Sequence, residues 1–206
     1  MFEIILTILI LISVFICSEI LSNKYKISSD FTRKITHISS GIIIFFTPYY
    51  LSRVEVISIS LAFAFLLLFT KYFNLIKSIH SVNRKTLGEV YFPIGIALSA
   101  ALFLPHDILA FQFGVLIMAL SDAMAALVGI PWGKHSITVF RGQKSIEGSS
   151  AFFLTSLMIW LGFYGQLDYR SLLIPVILTC IEFILILGID NLILPVAASY
   201  LFTVFM

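Results

Sequence analysis

Long uninterrupted apolar runs constrain this chain more than any other feature. Residues 4–16 and 56–69 contain no charged side chain. A helix needs about 20 apolar residues to cross the ~30 Å hydrocarbon layer of a bilayer, and it satisfies its own backbone hydrogen bonds. A transmembrane barrel would instead alternate apolar and polar residues in segments of about ten. Because 60% of the residues are hydrophobic and only 12% are charged, we predict an all-α, polytopic bundle of transmembrane helices.

The apolar segments predict seven to eight spans, of which the fourth and the eighth are the shortest. No linker, low-complexity segment or internal repeat divides the chain, so residues 1–206 are expected to form a single integral membrane domain. The first segment carries Glu3 and lacks a basic start and a small-residue cleavage site, which favours a retained span over a signal peptide. The predicted spans are residues 2–22, 36–52, 54–73, 88–104, 108–130, 149–165, 171–188 and 191–206.

Basic residues are distributed unevenly between two alternating sets of links. Eleven of the 13 lysines and arginines fall in one set, whereas the other holds only Arg53 and Arg170. The positive-inside rule places the first set in the cytoplasm and both termini outside. With no organelle address, a prokaryotic plasma membrane is the expected location, and the net charge of +2 with no basic block predicts no nucleic-acid partner. The first set comprises Lys24, Lys26, Arg33, Lys34, Lys71, Lys77, Arg84, Lys85, Lys134, Arg141 and Lys144.

The cytoplasmic link over residues 133–150 has the composition of a phosphate site. Its glycines let backbone N–H groups approach an anion, its lysines and Arg141 supply positive charge, and Ser149 or Ser150 would cap the next span. The link is not a Walker loop, because three residues rather than four separate Gly129 from Gly133. A basic topogenic loop with a helix cap is the alternative.

Carboxylates inside predicted spans are costly unless they are paired, hydrated or protonated, and they therefore mark functional positions. Asp122 and Glu182 lie within the fifth and seventh spans. Asp190 and Asn191 open the eighth, either as a helix cap or as oxygen ligands for a hard cation. His37 begins the second span, where a structural role is the alternative.

Five segments in order carry a family resemblance. Residues 33–41 read RKITHISSG, residues 88–93 read GEVYFP, and residues 122–129 read DAMAALVG. Residues 144–149 read KSIEGS, and residues 182–195 place a glutamate before DNL and a proline. They resemble motifs of the polyprenol, phytol and dolichol kinase family, which includes CTP-dependent diacylglycerol kinases. The likeness covers about residues 33–195, and the chain lacks the N-terminal extension of eukaryotic dolichol kinases, which favours a shorter alcohol.

The resemblance implies transfer of the terminal phosphate of CTP, or of another nucleoside triphosphate, to a lipid alcohol such as phytol, a polyprenol or diacylglycerol. It implies Mg²⁺ as the cofactor, bound by Asp122 with help from Glu147 and Asp190. His37, Glu89 or Glu182 would aim or deprotonate the lipid hydroxyl, and the choice stays open. The nucleotide-binding residues implied are Lys134, Lys144, Ser145, Glu147, Gly148 and Ser149. Arg33, Lys34 and Asn191 are further site residues.

Two other functions are weighed against the kinase. A lipid-phosphate cytidylyltransferase would use the same nucleotide and metal to make a CDP-lipid, but the chain lacks that family's tandem Lys-Asp and Asp-Arg signature. An ion-coupled transporter would use Asp122 and Glu182 as ion sites, but such proteins often show two related halves. The expected partners are the lipid alcohol, the nucleotide and membrane lipids, and a homodimer is left open.

Overall fold

A computed structural model describes residues 1–73, 75, 87–140 and 142–206. Four members of the basic cytoplasmic set lie outside the described residues, namely Lys77, Arg84, Lys85 and Arg141. The helices are α1 (Phe2–Tyr25), α2 (Ser29–Phe46), α3 (Arg53–Tyr72), α4 (Gly88–Phe103), α5 (Ile108–Leu116), α6 (Asp122–Trp132), α7 (Ile146–Tyr164), α8 (Tyr169–Ile184) and α9 (Asp190–Phe205). The strands are β1 (Ser136–Val139) and β2 (Gly142–Ser145).

The predicted helical class is confirmed, and the protein is a membrane protein with several apolar helices. Among the residues that the structure describes, four helices are long and apolar enough to cross a bilayer, namely α1, α3, the continuous run Ile108–Trp132, and α7. Helices α4 and α9 are apolar but shorter, so the full count of seven to eight spans stays a prediction. The antiparallel hairpin β1–β2, which pairs Ser136 with Ser145, was not predicted.

Helix α2 begins seven residues before the predicted second span. The prediction started the span at residue 36 and left Arg33 and Lys34 in the preceding basic link. The structure instead turns Lys34 inward, where its side chain is buried against Asp122. His37 therefore lies in the middle of the helix rather than at its start.

Side-chain caps define several helix starts. Ser52 and Glu55 form a reciprocal capping box at α3, and Asp107 accepts from the backbone N–H of Ala110 at α5. Ser145 caps α7 by accepting from the N–H of Gly148 at 3.1 Å. The prediction that Ser149 or Ser150 caps this helix was therefore wrong, because the helix begins one turn earlier, directly after β2.

The polarity of the bundle suits a lipid environment. Large apolar side chains such as Phe65, which is 71% exposed, point outward. Buried serine hydroxyls bond between helices, as Ser99 does with Ser199 and Ser121 with Ser156, each at 2.9 Å. Such bonds between small polar residues help to hold membrane helices together, where burial from water supplies little force.

A π-helical turn over Ile117–Ser121 joins α5 to α6. Helix α2 packs against this turn, and Gly41 fits against Ala119 so closely that a Cβ at position 41 would overlap the alanine side chain. A π turn changes the helical register and is frequent at functional sites. Here Asp122 directly follows the turn and is the first residue of α6.

Candidate active site

Lys34 and Asp122 form a buried ion pair between α2 and α6. The Lys34 Nζ lies 2.5 Å from Asp122 Oδ2 and also donates to the Asp122 backbone carbonyl at 3.3 Å. Both side chains are 6% exposed. Removing two charges from solvent is costly, and only close geometry with additional hydrogen bonds offsets that cost. The pair therefore fixes the position of the Asp122 carboxylate.

A second ion pair joins the hairpin to the helices. Lys144, on β2, donates to Oε1 of Glu182 on α8 and lies 3.7 Å from Oδ2 of Asp190 on α9. Burial alone would lower the pKa of Lys144, but the nearby carboxylates of Glu182 and Asp190 outweigh burial and raise it. Lys144 therefore stays protonated. Glu182 Oε2 is buried without a hydrogen-bond partner among the described residues.

The two pairs belong to one group, which we call the charged cluster: Asp122, Glu182 and Asp190 with Lys34 and Lys144. Asp122 interacts electrostatically with Lys144 and with both other carboxylates. Three acidic and two basic side chains leave one formal negative charge. An excess of oxygen ligands beside fixed cations suits a complex of a metal ion and phosphates.

Glycines hold the elements of the site at close range. Gly129 on α6 packs against Gly148 on α7, with a Cβ at Gly129 only 3.3 Å from the Gly148 Cα. Gly88, at the start of α4, approaches Gly188, whose φ of +87° suits glycine. Segments that carry the family resemblance are therefore in contact although they are distant in sequence, as Gly88 and Gly188 are, 100 positions apart.

Replacing Gly148 with alanine is expected to destabilise the protein by about 1–3 kcal/mol, because the new Cβ would lie 2.7 Å from the Ala125 carbonyl oxygen, a backbone atom that cannot rotate away. Gly162 on the same helix is the matched control, since a Cβ there meets nothing within 4 Å. Gly162→Ala should be neutral or should stabilise by up to ~1 kcal/mol. Thermal unfolding of both variants in detergent checks this, and equal shifts would contradict the packing argument.

The remaining predicted nucleotide-binding residues surround the cluster less tightly. Lys134 is exposed on the segment before β1. Glu147 accepts from His135, whose Nδ1 lies 2.7 Å away, and from the His135 backbone N–H. Ser149 Oγ is buried and has no partner among the described residues. The loop is therefore a hairpin that packs on the helices through Ser145 and Gly148 and leaves Lys134 in solvent.

The predicted metal ligands Asp122, Glu147 and Asp190 are not assembled into a ready-made centre. No group of three His, Cys, Asp or Glu among the described residues is arranged to hold a metal ion, and Glu147 is engaged by His135. Mg²⁺, however, is usually held by one or two carboxylates together with substrate phosphates. Asp122 and Asp190, with the unpartnered oxygen of Glu182 nearby, fit that mode. The metal assignment stays a prediction.

A narrow cleft opens beside the cluster between α1, α2, α3 and α4. Arg33, His37 and Glu89 line its polar end, and the His37 ring lies 4.3 Å from the Phe92 ring between centroids. Glu89 accepts from Lys71 at the end of α3. Lys71 was not predicted as a site residue, although opposite charges at the facing ends of two consecutive predicted spans were a usable signal. Asn191 contacts this region, since its Nδ2 lies 2.9 Å from where a Cβ at Gly88 would be.

The fold, the charged cluster and the neighbouring cleft together define a class of protein: a helical membrane protein whose buried charges lie beside an apolar cavity. Phytol kinase of Synechocystis sp. is 28% identical over 196 residues, which cover 91% of this chain and 84% of that protein. Uncharacterized proteins of Methanocaldococcus jannaschii and Rickettsia prowazekii are 37% and 30% identical, covering 55% and 72% of this chain and 56% and 78% of their own lengths. The match to phytol kinase along most of the chain supports the predicted resemblance to the polyprenol and phytol kinase family. No family model and no solved structure matches it.

Proposed function

We propose that the protein is a lipid-alcohol kinase that transfers the terminal phosphate of CTP, or of another nucleoside triphosphate, to phytol, a polyprenol or a similar alcohol. The reaction would take place at the cytoplasmic face of a prokaryotic plasma membrane. The observation that carries the proposal is the charged cluster lying beside an apolar cleft, because this reaction must bring a polyanion and a membrane lipid to one point. The similarity to a phytol kinase supports the same class of reaction.

In this reaction the lipid hydroxyl oxygen attacks the γ-phosphorus. The new oxygen–phosphorus bond forms as the bond to the β-phosphate oxygen breaks, the hydroxyl proton passes to a base, and the nucleoside diphosphate leaves. Phosphoryl transfer needs positioning and charge neutralisation more than covalent help. Lys144 would bind the phosphates, with Lys134, Ser145, Gly148 and Ser149 as further donors.

Mg²⁺ would neutralise the phosphate oxygens when it is bound. Asp122 and Asp190 would hold it, with Glu182 in reach of the same group. Lys34 would keep the Asp122 carboxylate oriented, in the way that hydrogen-bonded partners orient the ligands of other metal sites. Glu182 is paired with Lys144 on the phosphate side of the cluster. His37 and Glu89 line the cleft and are therefore the groups favoured to meet the lipid hydroxyl.

The reaction is tested with purified protein in vesicles that contain Mg²⁺ and CTP labelled at either the γ- or the α-phosphate. Phytol, farnesol, a short polyprenol and diacylglycerol are offered in turn, and label in the organic phase is counted. We expect label only from the γ-phosphate, and competition with unlabelled ATP reports the preferred donor. Transfer of label from the α-phosphate would instead show a cytidylyltransferase. If no label is transferred from CTP or ATP, the ion-coupled transporter becomes the favoured function.

A further inference from the structure

The cleft between α1 and α4 has the form of a binding site for one extended chain. On α2, Arg33, His37, Ser40 and Ile44 follow at intervals of three or four residues and so share one helix face. Ile44 follows Arg33 by 11 positions, which corresponds to about 16 Å along the helix, roughly half of the ~30 Å hydrocarbon core. The cleft therefore runs to the depth of about one leaflet.

The walls of the cleft change from polar to apolar along this axis. Arg33 and Glu89 lie at one end, whereas the aromatic and aliphatic lining comes from all four helices. That apolar lining consists of Leu11, Phe15, Ile44, Ile59, Phe63, Leu67, Phe92 and Ile96. An amphiphile with a small polar head and an apolar tail matches this gradient, whereas a soluble nucleotide does not.

Several buried polar atoms in the cleft lack a hydrogen-bond partner among the described residues. These are His37 Nδ1, Arg33 Nε, Ser40 Oγ and Ser60 Oγ. His37, Ser40 and Ser60 are each at most 5% exposed. Unpaired buried polar atoms cost about 1–3 kcal/mol each. A hydroxyl donates one hydrogen bond and accepts others, so an alcohol placed here can satisfy His37 Nδ1 and Arg33 Nε together.

We propose that the acceptor alcohol binds in this cleft, with its hydroxyl at His37 and Arg33 and a single hydrocarbon chain running past Ser40 and Ser60 toward Ile44. This inference rests on the proposed function and assigns its acceptor site. The cavity is small, with a volume of about 40 Å³, so the apolar side chains that line it must move apart to admit the hydrocarbon chain. One polar end and one apolar channel match a single-chain alcohol rather than diacylglycerol, which carries two chains.

The hydroxyl end of the cleft lies next to the charged cluster. Lys34, which binds Asp122, precedes His37 by three residues on the same helix, and His37 interacts electrostatically with both Asp122 and Glu89. A hydroxyl at His37 therefore stands beside the carboxylate assigned to the metal. This geometry makes His37 the group that contacts the attacking oxygen.

A groove between α7 and α8 is the competing location. It has a volume of about 480 Å³ and is lined by Ser149, Phe153, Leu154, Val176, Thr179 and Phe183. The groove is wider and more open than the cleft. It also has fewer buried polar atoms without a hydrogen-bond partner: among its described lining residues, Ser149 Oγ is the one such atom. The α1–α4 cleft is favoured because its unpaired atoms are arranged around one polar end.

The test uses a phytol analogue that carries a photoreactive diazirine on its chain, incorporated in vesicles with the full-length protein and no nucleotide. We expect labelled peptides from α1, α2, α3 and α4. Unlabelled phytol should displace the probe, whereas diacylglycerol should not. Mapping in the unmodified protein needs no variant to fold. Labelling of α7 and α8 instead, or equal displacement by diacylglycerol, would overturn the inference.

Three matched substitutions extend the test. Ser60→Phe fills the cleft and should reduce labelling and raise the KM for phytol by roughly tenfold, with the KM for CTP unchanged. Ser13→Phe on the exposed face of α1 and Thr179→Phe in the groove should leave both values unchanged. Labelling of the cleft without any γ-phosphate transfer would refute the proposed kinase activity but leave the lipid site standing. Transfer that is impaired only by Thr179→Phe would support the kinase activity but refute the cleft as the acceptor site.

Discussion

Asp122→Asn is expected to lower kcat by roughly 10²–10³-fold in a protein that still folds. Asparagine has the same shape, and its amide oxygen can still accept from the Lys34 Nζ that lies 2.5 Å from the native carboxylate. What disappears is the negative charge that would hold a divalent cation. Initial rates with γ-labelled CTP in vesicles measure the effect. A higher Mg²⁺ concentration for half-maximal rate should accompany it.

The Lys34 partner separates a catalytic role for Asp122 from a structural one. Lys34→Met leaves the Asp122 carboxylate buried without its cation, which is expected to cost about 3–5 kcal/mol of stability. The double variant Lys34→Met with Asp122→Asn removes both charges and should recover much of that loss without recovering activity. Full activity in Asp122→Asn would refute the metal assignment. Loss of folding in that variant, with the double variant stable, would instead show that the carboxylate serves only the ion pair.

The positions of most helices could be predicted from the sequence, because length and hydropathy alone decide which segments suit a bilayer. Helices α4, α7 and α9 begin within three residues of their predicted starts. The exception is α2, which was predicted to begin after Arg33 and Lys34. Hydropathy counts a lysine as polar wherever it points, and it cannot show that Lys34 has a carboxylate partner 88 residues away.

The site itself was predictable in part. Asp122 and Glu182 were singled out because carboxylates at membrane depth need partners, and the structure supplies those partners as Lys34 and Lys144. Asp190 was singled out as a helix cap or a cation ligand at the start of the eighth span. The ion pairs were not predictable, since neither the charge pattern nor the family resemblance assigned an acidic partner to Lys34 or Lys144. The π turn before Asp122 could not be predicted either, because one extra residue in a helical turn leaves no recognisable pattern in a mostly apolar segment.

The hairpin shows the limit of composition as a guide. Residues 133–150 were interpreted as a glycine-rich loop, in which each glycine would serve an anion. In the structure Gly129, Gly133 and Gly148 serve the contact between α6 and α7, because side chains there would collide with backbone atoms and with Ser145. Close helix packing and close approach of a phosphate both require glycine, so sequence alone does not distinguish them.

Lys144→Ala is expected to have two large effects. The KM for CTP should rise by at least roughly tenfold, since a cation beside the phosphates is lost. Stability should fall by about 3–5 kcal/mol, because Glu182, whose side chain is 2% exposed, is left buried without a cation. Nucleotide titrations and thermal unfolding measure the two effects separately. Lys134→Ala is the matched control for stability and should change it by no more than about 0.5 kcal/mol, since that lysine is exposed.

The double variant Lys144→Met with Glu182→Gln resolves the two roles of Lys144. It removes both charges of the pair, so stability should recover while the KM for CTP stays high. Because the pKa of Lys144 is raised above its ordinary 10.5, the contribution of its charge is fully present below that value and is lost only when the pH rises through the raised pKa. The stability difference between the wild type and this double variant, which lacks both titratable groups, should therefore stay constant between about pH 7 and 9. Recovery of nucleotide affinity together with stability would mean that Lys144 only neutralises Glu182 and that the phosphates bind elsewhere.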